Sequence, residues 1–367
     1  MNTVESSVPG RTEAPRATPS HRFARDRRWG PITLAVAVTA LLTVGALLVP
    51  LPFVAISPGS VIDVGDLVES TEQPPGDVGG GFYLTTVRLT PVTTVEAVRA
   101  WLRPDIDVVD ARRVGPSDLS PDELLQLNLD QMDASKRQAL AVALEELGYD
   151  AVSGDGAEVV DVVSGAPADG LLVAGDLIVG LEGTGVTSHH DVLRLLAGQP
   201  PHHRIELDVE GAGGGDRRSV ALTLAPGAED PGQGQLGALL RTRAPRFDLP
   251  VDVDIATDRI GGPSAGLAFA LEVLDVLSEG DLSGGRQVAA TGTIELDGSV
   301  GQVGGVSQKA VAVEHEGLDL FLVPRAELPQ ATRMVGDEVR VEPVDTVADA
   351  LRILTAGGAS GLVRTPW

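Results

Sequence analysis

Asp252-Val253-Asp254-Ile255, then Gly261-Gly262-Pro263-Ser264-Ala265-Gly266 and the apolar run 267–277, is the stretch that decides the fold. Residues 252–255 alternate as a strand does, with successive side chains on opposite faces. The glycines and Pro263 make a tight turn, and the apolar run has the length of a buried helix. Ser264 is thereby set at a helix N-terminus, where unpaired backbone amides and the helix dipole favour developing negative charge. The same position also suits a plain N-capping serine, so the turn alone names no chemistry. Downstream, Gly304-Gly305-Val306-Ser307-Gln308-Lys309-Ala310 opens a helix predicted to reach about residue 316, with Lys309 in its first turns.

Composition gives that lysine weight. The chain of 367 residues holds 26 arginines, two lysines (Lys136 and Lys309) and no cysteine. The missing cysteines exclude thiol catalysis, disulfides and cysteine-ligated metal. A nucleophilic serine needs a base, and a lysine can serve only when neutral. Burial among apolar groups lowers its reference pKa of about 10.4 by penalising the charged form, whereas arginine does not deprotonate in proteins. No histidine is required: His189-His190, His202-His203 and His315 show no ligand spacing, so neither a metal nor another cofactor is expected. With 43% apolar residues the chain can bury a core, while 11 aromatics and a net charge of −24 argue against nucleic acid as a partner.

The charge is unevenly spread. Residues 1–28 carry six arginines against Glu5, Glu13 and Asp26, a net +3, which leaves −27 for the remainder. No charged residue lies between Arg28 and Asp63, and 32–49 is almost continuously apolar, with Trp29 and Phe53 at its flanks. This predicts a retained transmembrane helix over 29–52, a cytoplasmic tail over 1–28 and an outward-facing body. A buried core helix and a cleaved signal peptide are the alternatives, and no A-x-A site supports the second.

Further along, residues 82–89 read as a strand, 93–102 as a short helix and 121–147 as a long helix with Pro121 in its first turn. Short strands are expected at 158–163, 177–181, 204–209 and 220–224, with a helix at 188–197. Pro226 to Gly237 reads as a linker by its Gly/Pro content.

Within this middle stretch, Gly165-Ala166-Pro167-Ala168, Gly170-Leu171 and Gly175-Asp176-Leu177-Ile178 resemble the PDZ domains of envelope proteases. The resemblance covers about 148–225 and implies a groove that binds an extended peptide or a C-terminal carboxylate, with Gly148-Tyr149-Asp150-Ala151 as the carboxylate loop. A sandwich-like spacer without ligand is the alternative.

Gly262-Pro263-Ser264-Ala265-Gly266, Thr291-Gly292-Thr293-Ile294 and Gly304-Gly305 through Lys309 resemble, in order, the motifs of Lon-type proteolytic domains. The resemblance implies Ser264 as nucleophile, Lys309 as general base and Thr291 as a hydroxyl that holds the lysine, with Gly262 and Pro263 shaping the turn. Phe82 to Leu89 and Met132-Asp133-Ala134-Ser135 are similar to the opening strand and the M-x-x-S helix of the same domain. Two departures stand out. Gly261 occupies a position where many Lon enzymes have Asp, leaving Asp258 as a nearby carboxylate. No G-x-x-x-x-G-K-[ST] occurs, so the ATPase half of a Lon machine is absent from this sequence and ATP is not expected as a partner.

The expected architecture is therefore α+β, in the manner of membrane-anchored bacterial PDZ–Lon-type proteases. A basic tail (1–28) and a transmembrane helix (29–52) precede a proteolytic domain split into 56–147 and 226–356 by a PDZ domain at 148–225, with a tail at 357–367. The expected function is ATP-independent serine endopeptidase action on extracytoplasmic or membrane-proximal polypeptides. The expected location is the bacterial cell membrane, single-pass with the N-terminus cytoplasmic; homo-oligomerisation is left open. The competing reading is a non-catalytic anchored peptide-binding scaffold with a vestigial protease fold.

Overall fold

The structure is a computed structural model that describes residues 34–41, 45, 49–70, 80–116, 119–227, 230–249, 251, 253–257, 260–278 and 281–359. Residues 1–49 form one unit and 50–367 another. In the first unit residues 34–41 are helical and exposed. The expected tail over 1–28 lies outside the described residues, as do residues 29–33, 42–44 and 46–48 of the expected span 29–52. Among the described residues no helix is long and apolar enough to cross a membrane. The expected end of that span needs correction, because residues 50–52 open a strand: Pro50 and Pro52 cannot continue a helix.

The second unit is mixed α+β, with two main sheets and several short strand pairs. Its larger sheet is built from β1 (Pro50–Asp63), β2 (Gly81–Thr93), β3 (Asp107–Asp110), and three strands from the far end of the chain. Helices α1 (Thr94–Trp101) and α2 (Pro121–Glu146) follow β2 and β3 respectively. Both start on a capping box, Thr93 with Glu96 and Ser120 with Glu123, and Pro121 sits in the first turn of α2, where its missing N–H is not needed.

A second sheet follows, made of β4 (Ala157–Val162), β5 (Leu177–Leu181), β6 (Arg204–Glu210), β7 (Arg217–Thr223) and β8 (Ala238–Thr242). Its spatial order is β7-β6-β5-β4-β8, all antiparallel, and α3 (His189–Leu196) packs against it. It encloses its own core, including Val159, Ile178, Leu181, Val192, Ile205, Leu207 and Leu224.

The stretch 226–237 is not the linker its composition suggests. Ala225–Pro226 pairs with Gly234–Gln235, Leu236 is buried in the small core, and β8 pairs with β4. The small domain therefore runs past the expected boundary at 225 to residue 242. The two crossings between the domains lie side by side, Val152–Ser153 paired with Arg246–Phe247.

The chain then returns to the larger sheet through α4 (Gly266–Leu277), β9 (Gln287–Ala290), α5 (Val306–Glu316), β10 (Leu320–Pro324), β11 (Arg340–Val344) and α6 (Val347–Ala356). The strand order is β11-β10-β9-β2-β1-β3, with β9 parallel to both β2 and β10. Residues before and after the small domain thus share one sheet. The central strands are covered on both faces, and the period of two assigns each side chain. Phe82, Leu84, Val288, Ala290, Leu320 and Leu322 face a core shared with α2, α4 and α6. Ala289, Phe321 and Val323 face the other way, onto Val306, Ala310 and Val313 of α5. The sheet consequently holds α4 and α5 on opposite faces of β9.

Candidate active site

Ser264 stands on the turn before α4, and α2 cradles that turn. Gly262 N donates to Asn128 O (2.8 Å), and Ser135 Oγ donates to Pro263 O (3.1 Å). Gly262 adopts φ 93°, a conformation only glycine takes cheaply. A Cβ on Gly266 would lie 3.0 Å from both Ser135 Oγ and Ile294 N, so the helix can seat this closely only with glycine there. Helix α4 has no side-chain cap at Ala265, nor has α5 at Gly305, unlike α1, α2, α3 and α6. No side chain thus caps the start of α4 next to Ser264, where Leu267 N turns instead to a backbone carbonyl of the neighbouring strand end.

The end of β9 is stitched to the same turn. Gly292 N donates to Ser264 O (3.0 Å), Leu267 N donates to Gly292 O (3.2 Å), and the Thr291 hydroxyl donates to Ser264 O (3.1 Å). From the opposite face of the sheet, Lys309 on α5 reaches in, 1% exposed. Its Nζ donates to Ser264 Oγ at 2.8 Å and to Thr291 Oγ1 at 2.9 Å. The structure brings Ser264, Thr291 and Lys309 together through residues drawn from a turn, a strand end and a helix.

Burial pulls the Lys309 pKa from its ordinary 10.5 down to about 8, while the charge of Glu327 acts the other way. Glu327 was not singled out from the sequence. It is buried, and both its carboxylate oxygens accept from Val303 N at 3.2 Å, tying down the loop that leads into α5. Its own pKa is raised by burial, against the opposing pull of the Val303 N–H and then of Lys309. No periodicity or spacing marks this residue; the turn after β10 brings it to the loop before α5. Asp258, the carboxylate near Gly261, lies outside the described residues. Lys136 is engaged elsewhere, with Nζ donating to Ile255 O (3.2 Å) and paired to Asp133 (2.8 Å).

The expected carboxylate loop Gly148-Tyr149-Asp150-Ala151 follows directly on α2. Gly148, at φ 84°, ends α2, and the Glu145 carboxylate already accepts from Ala151 N (2.9 Å) and Val152 N (2.7 Å). These amides serve the crossing between domains. The groove of the small domain lies elsewhere, a space of about 770 Å³ between α3 and β8, lined by Leu193, Leu196, Gln235, Leu236, Gly237 and Leu240 among others. Strand β8 is the edge of its sheet, so its outer edge faces this space. His190 also lines the groove, while its Nε2 contacts Leu296 O at 3.0 Å in the hairpin that follows Gly292. Among the described residues no group of three or more His, Asp or Glu is placed to hold a metal.

Comparison with known proteins finds similarity over part of the chain. Residues 250–356 match the Lon protease (S16) C-terminal proteolytic domain. A Lon protease of Roseiflexus castenholzii is 32% identical over 165 residues, 36% of this chain and 20% of that protein. A Lon protease of Methylocella silvestris is 32% identical over 185 residues, 42% of this chain and 21% of that protein. Among solved structures, the PDZ domain of an SdrC-like protein from Listeria innocua aligns at 24% identity and a TM-score of 0.21, over 23% of this chain and 93% of that one. The chain spans about a fifth of the length of these Lon relatives. Its residues 250–356, which carry Ser264, Thr291 and Lys309, are thus similar to the proteolytic domain of Lon proteases.

Proposed function

We propose that this chain is a serine endopeptidase with Ser264 as nucleophile and Lys309 as general base. The carrying observation is the 2.8 Å approach of a buried lysine amine to a serine hydroxyl at an uncapped helix start. With a pKa near 8, roughly a tenth of Lys309 is neutral at pH 7, against well under a thousandth for an unperturbed lysine. The neutral amine takes the Ser264 proton as Oγ attacks a peptide carbonyl. The helix start beside Ser264 carries no capping side chain, so its dipole favours the developing oxyanion, although Leu267 N is already taken by Gly292 O. The resulting ammonium then protonates the leaving amine, and water, activated by the same amine, releases the acyl group from Ser264. Thr291 holds Nζ on course by accepting from it while anchored to Ser264 O.

The finer features of the proposal follow from the chain as a whole. The activity works without ATP, since the sequence has no P-loop pattern and its only other lysine is tied to Ile255 and Asp133. The apolar stretch 32–49 with its basic flank anchors the chain in a membrane, so extracytoplasmic or membrane-proximal polypeptides are the substrates. The groove between α3 and β8 takes an extended peptide as an added strand, presenting substrate or gating access.

The test is turnover of an unfolded protein by the full chain without nucleotide, beside Ser264→Ala. Cleavage by the parent and none by the variant is the expected result. Equal turnover in both, or none in either at about pH 8 to 9 where Lys309 is largely neutral, overturns the proposal.

A further inference from the structure

The solvent side of α1 is the wrong composition for a helix facing water. Ala100 packs inward, while Val98, Trp101 and Leu102 are 58%, 84% and 70% exposed. Spaced i, i+3 and i+4, they share one face, with Arg99 and Arg103 beside them. Phe53 on β1 is exposed as well.

The register of the larger sheet fixes where this face lies along the chain. Pro50, the first residue of β1, is paired with Thr93, the residue that caps α1. Antiparallel partners sit about 5 Å apart, and an eight-residue helix is about 12 Å long, so Trp101 lies within about 20 Å of Pro50. Pro50 is joined directly to the apolar stretch 32–49. Any bilayer that holds this stretch is therefore within reach of α1. An aromatic and two aliphatic side chains flanked by arginines, on a short helix, match the interfacial zone, where such a helix lies with its apolar face about 5–10 Å into the headgroup boundary.

We propose that the Val98, Trp101 and Leu102 face of α1 rests on the lipid bilayer surface, fixing the orientation of the Ser264 domain relative to the membrane. The inference rests on the anchoring proposed above. A second copy of the chain fits the face less well. The three side chains expose on the order of 400 Å², about half of the ~800 Å² per partner that a stable protein–protein interface buries.

The test uses the full chain carrying Trp29→Phe and Trp367→Phe, which leaves Trp101 as its sole tryptophan. The protein is reconstituted into phosphatidylcholine vesicles with or without bromine on the acyl chains near the headgroup. The expected result is about a twofold loss of Trp101 emission in the brominated vesicles, with little quenching by aqueous acrylamide. Equal emission in both vesicle types, with free quenching by acrylamide, overturns docking. So does a Trp101 shielded from acrylamide, insensitive to bromine and unmasked on dilution, which would reveal an interface between copies. An alkaline carbonate wash separates the two claims. A chain that stays in the vesicles with Trp101 unquenched loses only the docking; a chain that washes off loses the anchor and the docking with it.

Discussion

Replacing Lys309 by methionine keeps the length and apolar stem of the side chain and removes its amine. The account then predicts a protein that is inactive yet more stable at neutral pH. Burial lowers the Lys309 pKa from 10.5 to about 8, so the unfolded chain holds this proton more tightly than the folded one. Below about pH 8 both states carry the charge, and the folded state bears the whole penalty, about 3 kcal/mol. Between about pH 8 and 10.5 the unfolded state binds more protons, so wild-type stability rises with pH and the penalty fades. Methionine avoids the penalty, but Nζ no longer bonds Ser264 and Thr291, and Glu327 loses its neighbouring cation. A net gain of about 1–3 kcal/mol remains near pH 6.5, a rise in Tm of about 2–10 °C for a domain of this size. The assay is thermal unfolding of both proteins at about pH 6.5, 8 and 10.5, where the difference should shrink as the penalty disappears. A Lys309→Met protein that melts lower than wild type near pH 6.5, or a gain that is the same at all three pH values, refutes the reasoning.

The remaining expectations concern the surroundings of the dyad and the groove. Glu327→Gln retains an acceptor for Val303 N but removes the charge that raises the Lys309 pKa, so the acid limb of the pH–rate profile should move down in pH, with little change at the alkaline plateau. A profile that keeps its midpoint while falling at every pH would show that Glu327 acts on the loop alone. Ser135→Ala frees Pro263 O from its tether to α2 and should lower the rate of Ser264 acylation about 5- to 10-fold, the worth of one hydrogen bond near 1 kcal/mol; unchanged acylation would remove α2 from the positioning of the turn. Leu193→Asp places a charge at an exposed position lining the groove, so peptide binding to the small domain should weaken about tenfold or more while small-ester acylation of Ser264 is unchanged. Loss of both together would place the groove and the dyad in one site.

What could be read from the sequence divides by the range of the contacts involved. Ser264 and Lys309 stand out in local patterns, a Gly-rich turn before an apolar helix and one of two lysines in an arginine-using chain, whereas Thr291 is marked only by the resemblance to Lon-type motifs. The long helix expected over 121–147 is marked by Pro121, Asp122 and Glu123 in its first turn, and the structure adds Ser120 as its cap. The extent of the small domain was not legible in the same way. The stretch 226–237 has the glycine and proline content of a linker, yet Leu236 enters the core and β8 pairs with a strand about 80 residues earlier. Composition reports backbone freedom and is silent on whether a single leucine finds a pocket. The same holds at the end of α2, where the Glu145 carboxylate takes Ala151 N and, one residue on, Val152 N. Glu327 reaches the lysine's surroundings from the turn after β10, which meets the loop leading into α5, a contact with no sequence period.

The central claim is that a buried, partly neutral Lys309 activates Ser264. It is tested most directly by the pH dependence of Ser264 acylation, followed by intact mass with a small activated ester that bypasses the groove. The account predicts one adduct on Ser264, a rate that rises through a single ionisation near pH 8, and loss of that rise in Lys309→Met. Acylation of Ser264 with the same pH profile in wild type and Lys309→Met would contradict it.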